Sequence, residues 1–225
     1  RRRHWPWPKG GRGVNLPKAI GALLVGGFST RMGRPKAEVQ LGRLSLATRA
    51  SDTLSVLSTE VILVGGEPID DLQHRHLPDA RKDAGPAAGI ETALGDASIH
   101  VIVLALDLPF VPPELLLETL AVVDQGATIC APRWEGRWHP LCATYSQAAL
   151  GPLRQRLDRG VFDLYGLLDE IATPLETNVL REVGEPTEIL LNINTPKDLS
   201  LAKKLLSAKS QEHRGSRRIN QKVRP

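Results

Sequence analysis

The chain has few of the features that mark secreted, zinc-binding or membrane proteins. Its 225 residues include two cysteines, Cys130 and Cys142, which are too few and too unpatterned for a disulfide framework or a zinc site. We expect both to be small buried hydrophobes in a reducing cytoplasm. No apolar stretch approaches the roughly 20 residues that span a bilayer, and no apolar signal core precedes Val14. We therefore expect a cytoplasmic protein with no membrane partner.

Patterns of other common classes are also missing. The chain shows no Ser-His-Asp order, so a hydrolase is a weak hypothesis. It has no internal repeat and no linker long enough to divide its body, and its length suits one domain with a full core. We expect a single domain over residues 19–206, flanked by a basic, disordered N-terminal extension (1–18) and a basic, disordered C-terminal tail (207–225).

Positive charge is concentrated at the two ends. Residues 1–18 carry six Lys or Arg and no acid, and residues 203–225 carry eight with one acid, Glu212. Subtracting these contributions of +6 and +7 from the net charge of +4 leaves residues 19–202 at −9. A nucleic-acid-binding domain carries its cations on its folded surface, so we expect no specific nucleic-acid partner. Nonspecific, salt-dependent RNA contact by the C-terminal tail is the alternative.

Strands and helices alternate along the body of the chain, which indicates an α/β fold with a mostly parallel sheet and helices on both faces. Strands are predicted over residues 19–25, 61–64, 100–106, 127–131 and 138–143, with further extended segments over 179–183 and 189–193. Helices are predicted over residues 46–57, 86–94, 112–123, 147–157, 161–171 and 196–206. The expected architecture is a single three-layer α/β/α domain of the Rossmann-like type.

The first predicted strand leads into a loop with the sequence GGFSTRMGRPKA. Gly26 and Gly27 let backbone N–H groups approach an anion closely, while Arg31 and Lys36 add positive charge. The glycine spacing matches neither a Walker A loop nor a Rossmann fingerprint. From its residues alone, this loop is either a polyphosphate cradle or an ordinary strand-to-helix connection with two solvated cations.

Asp107 follows the most apolar predicted strand, and open α/β sheets place their ligands at such strand ends. A carboxylate beside so many apolar residues is costly if it is buried without a partner. Mg²⁺ is a suitable partner because it takes one or two carboxylates and completes its shell with water and substrate phosphates. The alternative is an aspartate that caps the helix beginning near Pro112.

Four motifs together resemble the molybdenum cofactor guanylyltransferases, the MobA family. The glycine loop is similar to the family's G-G-x-S-x-R-M-G-x-x-K, and DAGPAAGI (83–90) to its G-P-L-A-G turn. LALDLPFVPP (104–113) resembles its strand-end aspartate with following prolines, and LLNINTPKDL (190–199) its closing N-x-N-T-P-x-D/E-L. The motifs occur in the family's order across residues 19–203. The asparagines before Thr195 favour the guanylyl over the cytidylyl branch.

The resemblance implies a nucleotide-diphospho-sugar transferase-like fold and Mg²⁺-dependent transfer of GMP from GTP to molybdenum-bound molybdopterin, with release of pyrophosphate. It implies that Arg31, Lys36 and Asp107 are catalytic, and that Asp107 holds the Mg²⁺. The implied nucleotide contacts are Leu24, Val25, Gly26, Gly27, Lys36, Asp79 and Asp107. The implied pterin contacts are His139, Pro140, Asn192 and Asn194. Beyond the two substrates, the implied partners are molybdoenzymes or their chaperones and other cofactor-biosynthesis proteins.

Two departures from the family pattern leave alternatives open. Val25 stands where the family usually has Ala, and Val64-Gly65-Gly66 stands where the family often has an asparagine near the guanine. The base contact is therefore either made by backbone or missing. A cytidylyltransferase, a related enzyme with another nucleotide or acceptor, and a noncatalytic nucleotide- or pterin-binding chaperone are the rival functions. Asp83 is the alternative match to Asp79.

Overall fold

The computed structural model describes residues 17–26 and 35–222, with side chains through Lys209. The strands in these residues are β1 (Ala19–Leu24), β2 (Gln40–Leu41), β3 (Leu44–Ser45), β4 (Glu60–Val64), β5 (Arg75–Leu77), β6 (His100–Ala105), β7 (Ile129–Trp134), β8 (Arg137–Trp138), β9 (Cys142–Tyr145) and β10 (Ala172–Leu175). The α-helices are α1 (Leu46–Ser55), α2 (Pro86–Asp96), α3 (Pro113–Asp124), α4 (Leu150–Asp158), α5 (Leu164–Ile171), α6 (Thr177–Val183), α7 (Pro186–Ile189) and α8 (Pro196–Lys222). Short 3₁₀ turns lie at Lys36–Glu38 and Gln147–Ala149.

The main sheet has the strand order β10-β7-β9-β6-β1-β4-β5, and β8 pairs with β7 at one margin. Strand β1 is parallel to both β6 and β4, β5 is parallel to β4, and β10 is parallel to β7. Strand β9 runs antiparallel to both β6 and β7. The short hairpin of β2 and β3 is separate. The predicted mostly parallel sheet is confirmed.

Alternation along β6 shows why helices cover both faces of this sheet. Val101 and Val103 belong to a core that includes residues of α2, α4 and α5. Ile102 and Leu104 belong to a second core that includes residues of α1, α3 and α6. Successive strand side chains point to opposite faces, so a continuous apolar run needs cover on both. The three-layer α/β/α architecture is confirmed.

Local capping explains where several helices begin. Ser45 Oγ accepts a hydrogen bond from Thr48 N at 3.0 Å, which confirms Ser45 as the N-cap of α1. Pro86 and Pro113 occupy the first turns of α2 and α3, where a missing N–H costs nothing. Asp163 caps α5 by accepting from two backbone N–H groups. These caps fix the chain at turns close to the carboxyl edge of the sheet.

A third apolar cluster attaches the β2–β3 hairpin to the base of α8. Its fully buried or nearly buried members are Val39, Leu41, Leu46, Ile193, Leu199 and Ala202. The cluster joins the segment after Lys36 to the segment that precedes α8. Two parts of the chain more than 150 residues apart are thereby brought to the same place.

Three predictions for the last third of the sheet and its surroundings are wrong. Residues 179–183, predicted to be extended, lie in α6, and residues 189–193 lie at the end of α7 and in the irregular segment after it. Both segments are short and apolar, and periodicity alone does not separate such strands from helices. The predicted strand over residues 138–143 is split between β8 and β9 by a turn at His139 and Pro140.

Helix α8 begins at Pro196, as predicted, but continues to Lys222 rather than ending near Leu206. Disorder is the sequence expectation beyond residue 206, whereas the backbone described there is helical. Lys209 Nζ lies 3.0 Å from Glu188 Oε2 and 5.4 Å from the centroid of the Phe110 ring. Among the described residues, no helix is both long and apolar enough to cross a membrane.

Candidate active site

The candidate site runs along one edge of the main sheet. Parallel strands β5, β4, β1 and β6 all end at this edge, which places Asp79, Gly65, Gly26 and Asp107 on it. Strand β7 also ends here and the antiparallel β9 begins here, because Leu104 near the end of β6 pairs with Cys142. Ligands of open α/β sheets bind at such an edge. Asp107 follows β6 and lies between the glycine-rich half and the β9–β7 half.

Asp107, Lys36 and Asn194 form one polar cluster. Lys36 Nζ donates to Asp107 Oδ2 at 2.9 Å and to Asn194 Oδ1 at 2.8 Å. The Lys36 and Asp107 side chains are only 18% and 19% exposed, so water screens this ion pair less than a surface pair. A lysine, a carboxylate and an amide from three separate segments thus meet at the centre of the edge.

Several hydrogen bonds hold the segment that carries Asn194 in place. Ile193 N donates to Asp107 O at 2.9 Å. Asp198 Oδ2 accepts from Asn194 N at 3.1 Å and from Thr195 N at 2.8 Å, while Thr195 Oγ1 accepts from Asp198 N. This reciprocal capping box explains the spacing of the N-T-P-x-D motif. It orients the Asn194 side chain toward Lys36.

Glycines surround the carboxylate of Asp79. A methyl group added at Gly65 would lie 2.8 Å from Asp79 Oδ2, and one at Gly89 would lie 3.4 Å from Asp79 Oδ1. Gly66 adopts φ +54°, and a methyl group there would lie 2.8 Å from Val25 O. Side chains at these positions would collide with the carboxylate or with the β1 backbone. The glycines therefore let the Asp79 carboxylate pack against the backbone, and the backbone at Gly26 and Gly66 is exposed.

The setting of Asp79 alters its acidity. Its carboxylate lies against the glycine backbone, and this partial burial raises the pKa of Asp79 above its ordinary value. His76 acts in the opposite direction, and its effect on the Asp79 pKa is smaller. The His76 ring also donates from Nε2 to Gly65 O at 3.0 Å. The turn after β4 and the carboxylate after β5 are therefore coupled through one histidine.

A cavity of about 520 Å³ opens on the other side of Asp107. Its volume falls within the range of small-molecule sites. Asp107, Leu108 and Pro86 line one end, and His139, Pro140 and Asn192 line the adjoining surface. The remaining lining residues that carry rings or polar groups are Trp134, Glu135, Arg137, Trp138, Phe162, Asp163, Tyr165, Pro186 and Thr187.

The β7–β8 hairpin forms one wall of this cavity and combines aromatic with cationic groups. The Arg133 guanidinium lies 5.0 Å from the centroid of the Trp138 ring, and the Arg181 guanidinium lies 5.5 Å from that of Trp134. His139 is half-buried, and burial lowers its pKa below the ordinary value, with the nearby Arg137 charge lowering the pKa further. His139 is therefore favoured as neutral imidazole near neutral pH. Of these three arginines only Arg137 lines the cavity, so the wall offers a flat, anionic ligand aromatic surface and one positive charge.

The groups around Asp107 fit Mg²⁺ bound together with a polyphosphate. No group of three or more His, Cys, Asp or Glu side chains that could hold a metal occurs in residues 17–26 and 35–209. Mg²⁺ does not need such a cage, since one carboxylate, water and substrate phosphates complete its octahedron. The Asp107 carboxylate is partly exposed at the edge of the sheet. Its ion-pair partner is Lys36, and a lysine has a flexible side chain.

The structure brings most of the sequence-predicted site residues to this edge. Leu24 ends β1, Val25 N donates to Val64 O at 3.0 Å, and Gly26 follows. Arg31 and Gly27 lie outside the described residues. His139, Pro140 and Asn192 line the cavity, whereas Asn194 is absent from its lining and bonds Lys36. Asp83 is a turn residue with φ +58°.

Sequence reasoning missed two cavity residues, Phe162 and Tyr165. They lie after the break between α4 and α5, in a region that carries no family motif. Their signal in the sequence is the run V-F-D-L-Y directly after Gly160, which places two aromatic residues at the start of the helix predicted over residues 161–171. It also missed Asn194 as a partner of Lys36, since that contact joins residues 158 positions apart.

The sheet order defines an open, three-layer α/β fold whose ligand edge lies at the carboxyl ends of the parallel strands. A fold of this kind occurs in 2-C-methyl-D-erythritol 4-phosphate cytidylyltransferase from Thermus thermophilus, with a TM-score of 0.58, 19% identity and coverage of 83% of this chain and 98% of that one. Within that class, the sequence profile of the MobA-like NTP transferase domain matches residues 21–171. The chain belongs to the MobA-like NTP transferase family.

Relatives of known name agree with this assignment. A protein of Pelotomaculum thermopropionicum named a probable molybdenum cofactor guanylyltransferase is 33% identical over 192 residues, covering 83% of this chain and 92% of that protein. A molybdenum cofactor guanylyltransferase of Rhizobium johnstonii is 33% identical over 205 residues, covering 84% and 93%. Molybdopterin-guanine dinucleotide biosynthesis protein A from Archaeoglobus fulgidus superposes with a TM-score of 0.74 at 26% identity, covering 84% and 99%.

Proposed function

We propose that the protein transfers GMP from GTP to the terminal phosphate of molybdenum-bound molybdopterin. An oxygen of the acceptor phosphate forms a bond to the α-phosphorus of GTP as the bond to the β-phosphate breaks. The products are the guanine dinucleotide cofactor and pyrophosphate. The acceptor oxygen is already anionic, so the reaction needs no strong general base, and rate comes from positioning and charge neutralisation.

The observation that carries this proposal is the position of the Lys36–Asp107 pair between two different surfaces. On one side lies the glycine-rich edge beside Asp79, where the backbone at Gly26 and Gly66 is exposed. On the other side lies the aromatic and cationic cavity, of a size that suits a fused heterocycle. A reaction that joins a nucleotide to a flat phosphorylated acceptor requires both surfaces to meet at one charged centre.

In this proposal Lys36 contacts the phosphates of GTP, and Asn194 holds the lysine near Asp107 until they bind. Asp107 would hold Mg²⁺, which supplies positive charge to the phosphates. Arg31 belongs to the glycine loop that the family resemblance assigns to the triphosphate. Positioned charges of this kind are the main means of catalysis in phosphoryl chemistry.

The nucleotide half of the site would select its base mainly through backbone. Leu24, Val25, Gly26 and Gly27 follow the polyphosphate path in this proposal, and Gly65 and Gly66 replace the family's asparagine. Asp79 accepts hydrogen bonds from the nucleoside, since a carboxylate is an acceptor-only group when it is ionised. The partial burial that raises the Asp79 pKa also strengthens such bonds.

We also propose a cytoplasmic location and delivery of the product to molybdoenzymes or their chaperones. A dinucleotide cofactor with a large flat ring system needs a protein acceptor to shield it from water.

The test is pyrophosphate release by purified protein given GTP, Mg²⁺ and molybdenum-molybdopterin. The proposal predicts release only when all three are present. Asp107→Asn keeps the side-chain shape and removes the charge, so it should lower turnover by roughly 100-fold or more. Asp124→Asn is the matched control because it neutralises an exposed aspartate at the far end of α3, and it should leave turnover unchanged.

A nucleotide competition separates the guanylyl proposal from its nearest rival. Tighter binding of CTP than of GTP would overturn the choice of GTP while leaving the reaction class intact. Binding of GTP and the pterin with no pyrophosphate release would favour the noncatalytic chaperone.

A further inference from the structure

Phe162 and Tyr165 form an exposed aromatic wall at the outer part of the cavity. Phe162 is 47% exposed and Tyr165 is 44% exposed, and both line the cavity. Exposed apolar surface that borders a pocket marks a candidate ligand site, whereas single exposed apolar residues elsewhere need no explanation. Neither ring belongs to a motif used in the proposed reaction.

The chain presents these two rings from a firmly held turn. Asp163, which lies between them, accepts from Tyr165 N at 3.0 Å and from Gly166 N at 2.7 Å. Arg156 of α4 donates to Glu170 Oε1 at 2.8 Å and lies 3.9 Å from Asp163 Oδ2. The rings therefore extend from a capped helix start and not from a loose loop.

The same helix also contacts the hairpin that contributes Trp134 and Trp138 to the cavity lining. Trp138 Nε1 donates to Asp169 Oδ1 at 2.7 Å, and Arg133 Nη2 lies 3.8 Å from the same oxygen. Asp169 of α5 thereby connects the hairpin that carries Trp134 and Trp138 to the helix that follows Phe162. These contacts hold the hairpin and α5 together, so the aromatic residues that both contribute to the cavity lining are fixed relative to one another.

We propose that Phe162 and Tyr165 recognise the fused ring system of the acceptor, and that they do not contact its phosphate. This inference rests on the proposed function. The phosphate must reach Asp107, which lines the cavity, and its partner Lys36, so the ring system extends away from Asp107 toward the aromatic lining residues. Stacking on an aromatic side chain is tolerant of ring chemistry and contributes through contact area.

Two sets of residues in the cavity therefore have different roles. The inner groups align the reacting phosphate, and the outer rings determine which phosphorylated compounds stay bound long enough to react. Phe162 and Tyr165 should therefore separate a pterin acceptor from a small phosphomonoester that lacks a ring. Removing one ring should weaken pterin binding by roughly 10- to 100-fold, the loss typical of one stacked base.

The experiment measures equilibrium binding of molybdenum-molybdopterin, without GTP, to the wild type, Phe162→Ala and Tyr165→Ala. Val161→Ala is the matched control, because Val161 is 40% exposed beside Phe162 but does not line the cavity. Both ring variants should show a raised Kd for the pterin and an unchanged Kd for GTP. Tyr165→Phe keeps the ring and should bind the pterin like the wild type.

Wild-type pterin affinity in both ring variants would overturn the inference. An equal loss in Val161→Ala would overturn it as well, because that result would indicate a general disturbance of the turn. Failure of the proposed function looks different: the wild type would release no pyrophosphate with GTP, whatever the ring variants do to pterin binding.

Discussion

Lys36 is the residue on which the proposed chemistry depends most. Its ammonium joins Asp107, from the middle of the domain's sequence, to Asn194 near its end. A compact ammonium on a flexible stem can leave these partners for a phosphate oxygen without rebuilding the site. GTP and Mg²⁺ can therefore replace the ion pair between Lys36 and Asp107.

Lys36→Ala should raise the KM for GTP and lower kcat, while the affinity for molybdopterin alone changes little. Loss of one desolvated charge contact to the triphosphate costs about 2–4 kcal/mol in kcat/KM. Lys36→Arg should rescue poorly, because a planar guanidinium does not fit the place of an ammonium between two acceptors. Steady-state kinetics with each substrate varied checks this, and unchanged kinetics in both variants would assign the triphosphate to backbone at Gly26 instead.

The two asparagines of the N-x-N-T-P motif should behave differently. Asn192 lines the cavity and Asn194 bonds Lys36, so Asn192→Ala should raise the KM for the pterin and Asn194→Ala should act mainly on GTP and kcat. We expect the affected KM or kcat to change by about tenfold in each variant, the usual effect of one hydrogen bond to a charged group. A rise in the pterin KM with no GTP effect in Asn194→Ala would return that residue to the pterin site.

Among the secondary-structure elements, the sequence predicts most accurately the helices in which a long apolar repeat follows a capping residue or a proline. Helix α2 follows Gly85-Pro86 and helix α1 follows Ser45, and both begin where predicted. Strands β5 and β10 were not predicted, since β5 is short and polar and β10 carries Pro174. An edge strand tolerates both features because its outer side forms no backbone hydrogen bonds with a neighbouring strand. Such strands are specified by their neighbours and not by their own residues.

The same limit applies to the candidate site. Asp107 and Asp79 could be found because each follows a strand, and ligand edges obey a general rule. The contact between Lys36 and Asn194 could not, since it depends on how the third apolar cluster folds α8 against the β2–β3 hairpin. Phe162 and Tyr165 also escaped detection, because only the position of α5 against the hairpin brings their rings to the cavity.

Helix α8 allows a test of where the functional domain ends. Deleting residues 210–225 should leave GTP turnover within about twofold, because every described contact to the site comes from a residue before that point. Deleting residues 208–225 also removes Lys209 and its contacts to Glu188 and Phe110, which are worth about 1 kcal/mol together. The longer deletion should lower Tm by about 2–4 °C with turnover retained. Thermal unfolding and pyrophosphate assays check both, and a large loss of turnover in the shorter deletion would show that the tail serves the reaction.

At the scale of the whole molecule, an acidic body is expected to bind two polyanionic substrates. Residues 19–202 carry a net charge of −9, so the long-range field does not attract GTP or a pterin phosphate. Affinity must come from local groups at the sheet edge, such as Lys36 and Arg137, together with Mg²⁺. This explains why a single lysine at the edge should matter more than the excess of cations in the two tails.

The most direct measurement follows the α-phosphate. GTP labelled at the α-phosphorus is incubated with the protein, Mg²⁺ and molybdenum-molybdopterin, and the products are separated and identified. The account predicts that the label enters a molybdopterin guanine dinucleotide in the wild type, in step with pyrophosphate release, and stays in GTP with Asp107→Asn. Label that remains in GTP with the wild type, or appears only as free GMP or GDP, would contradict the account.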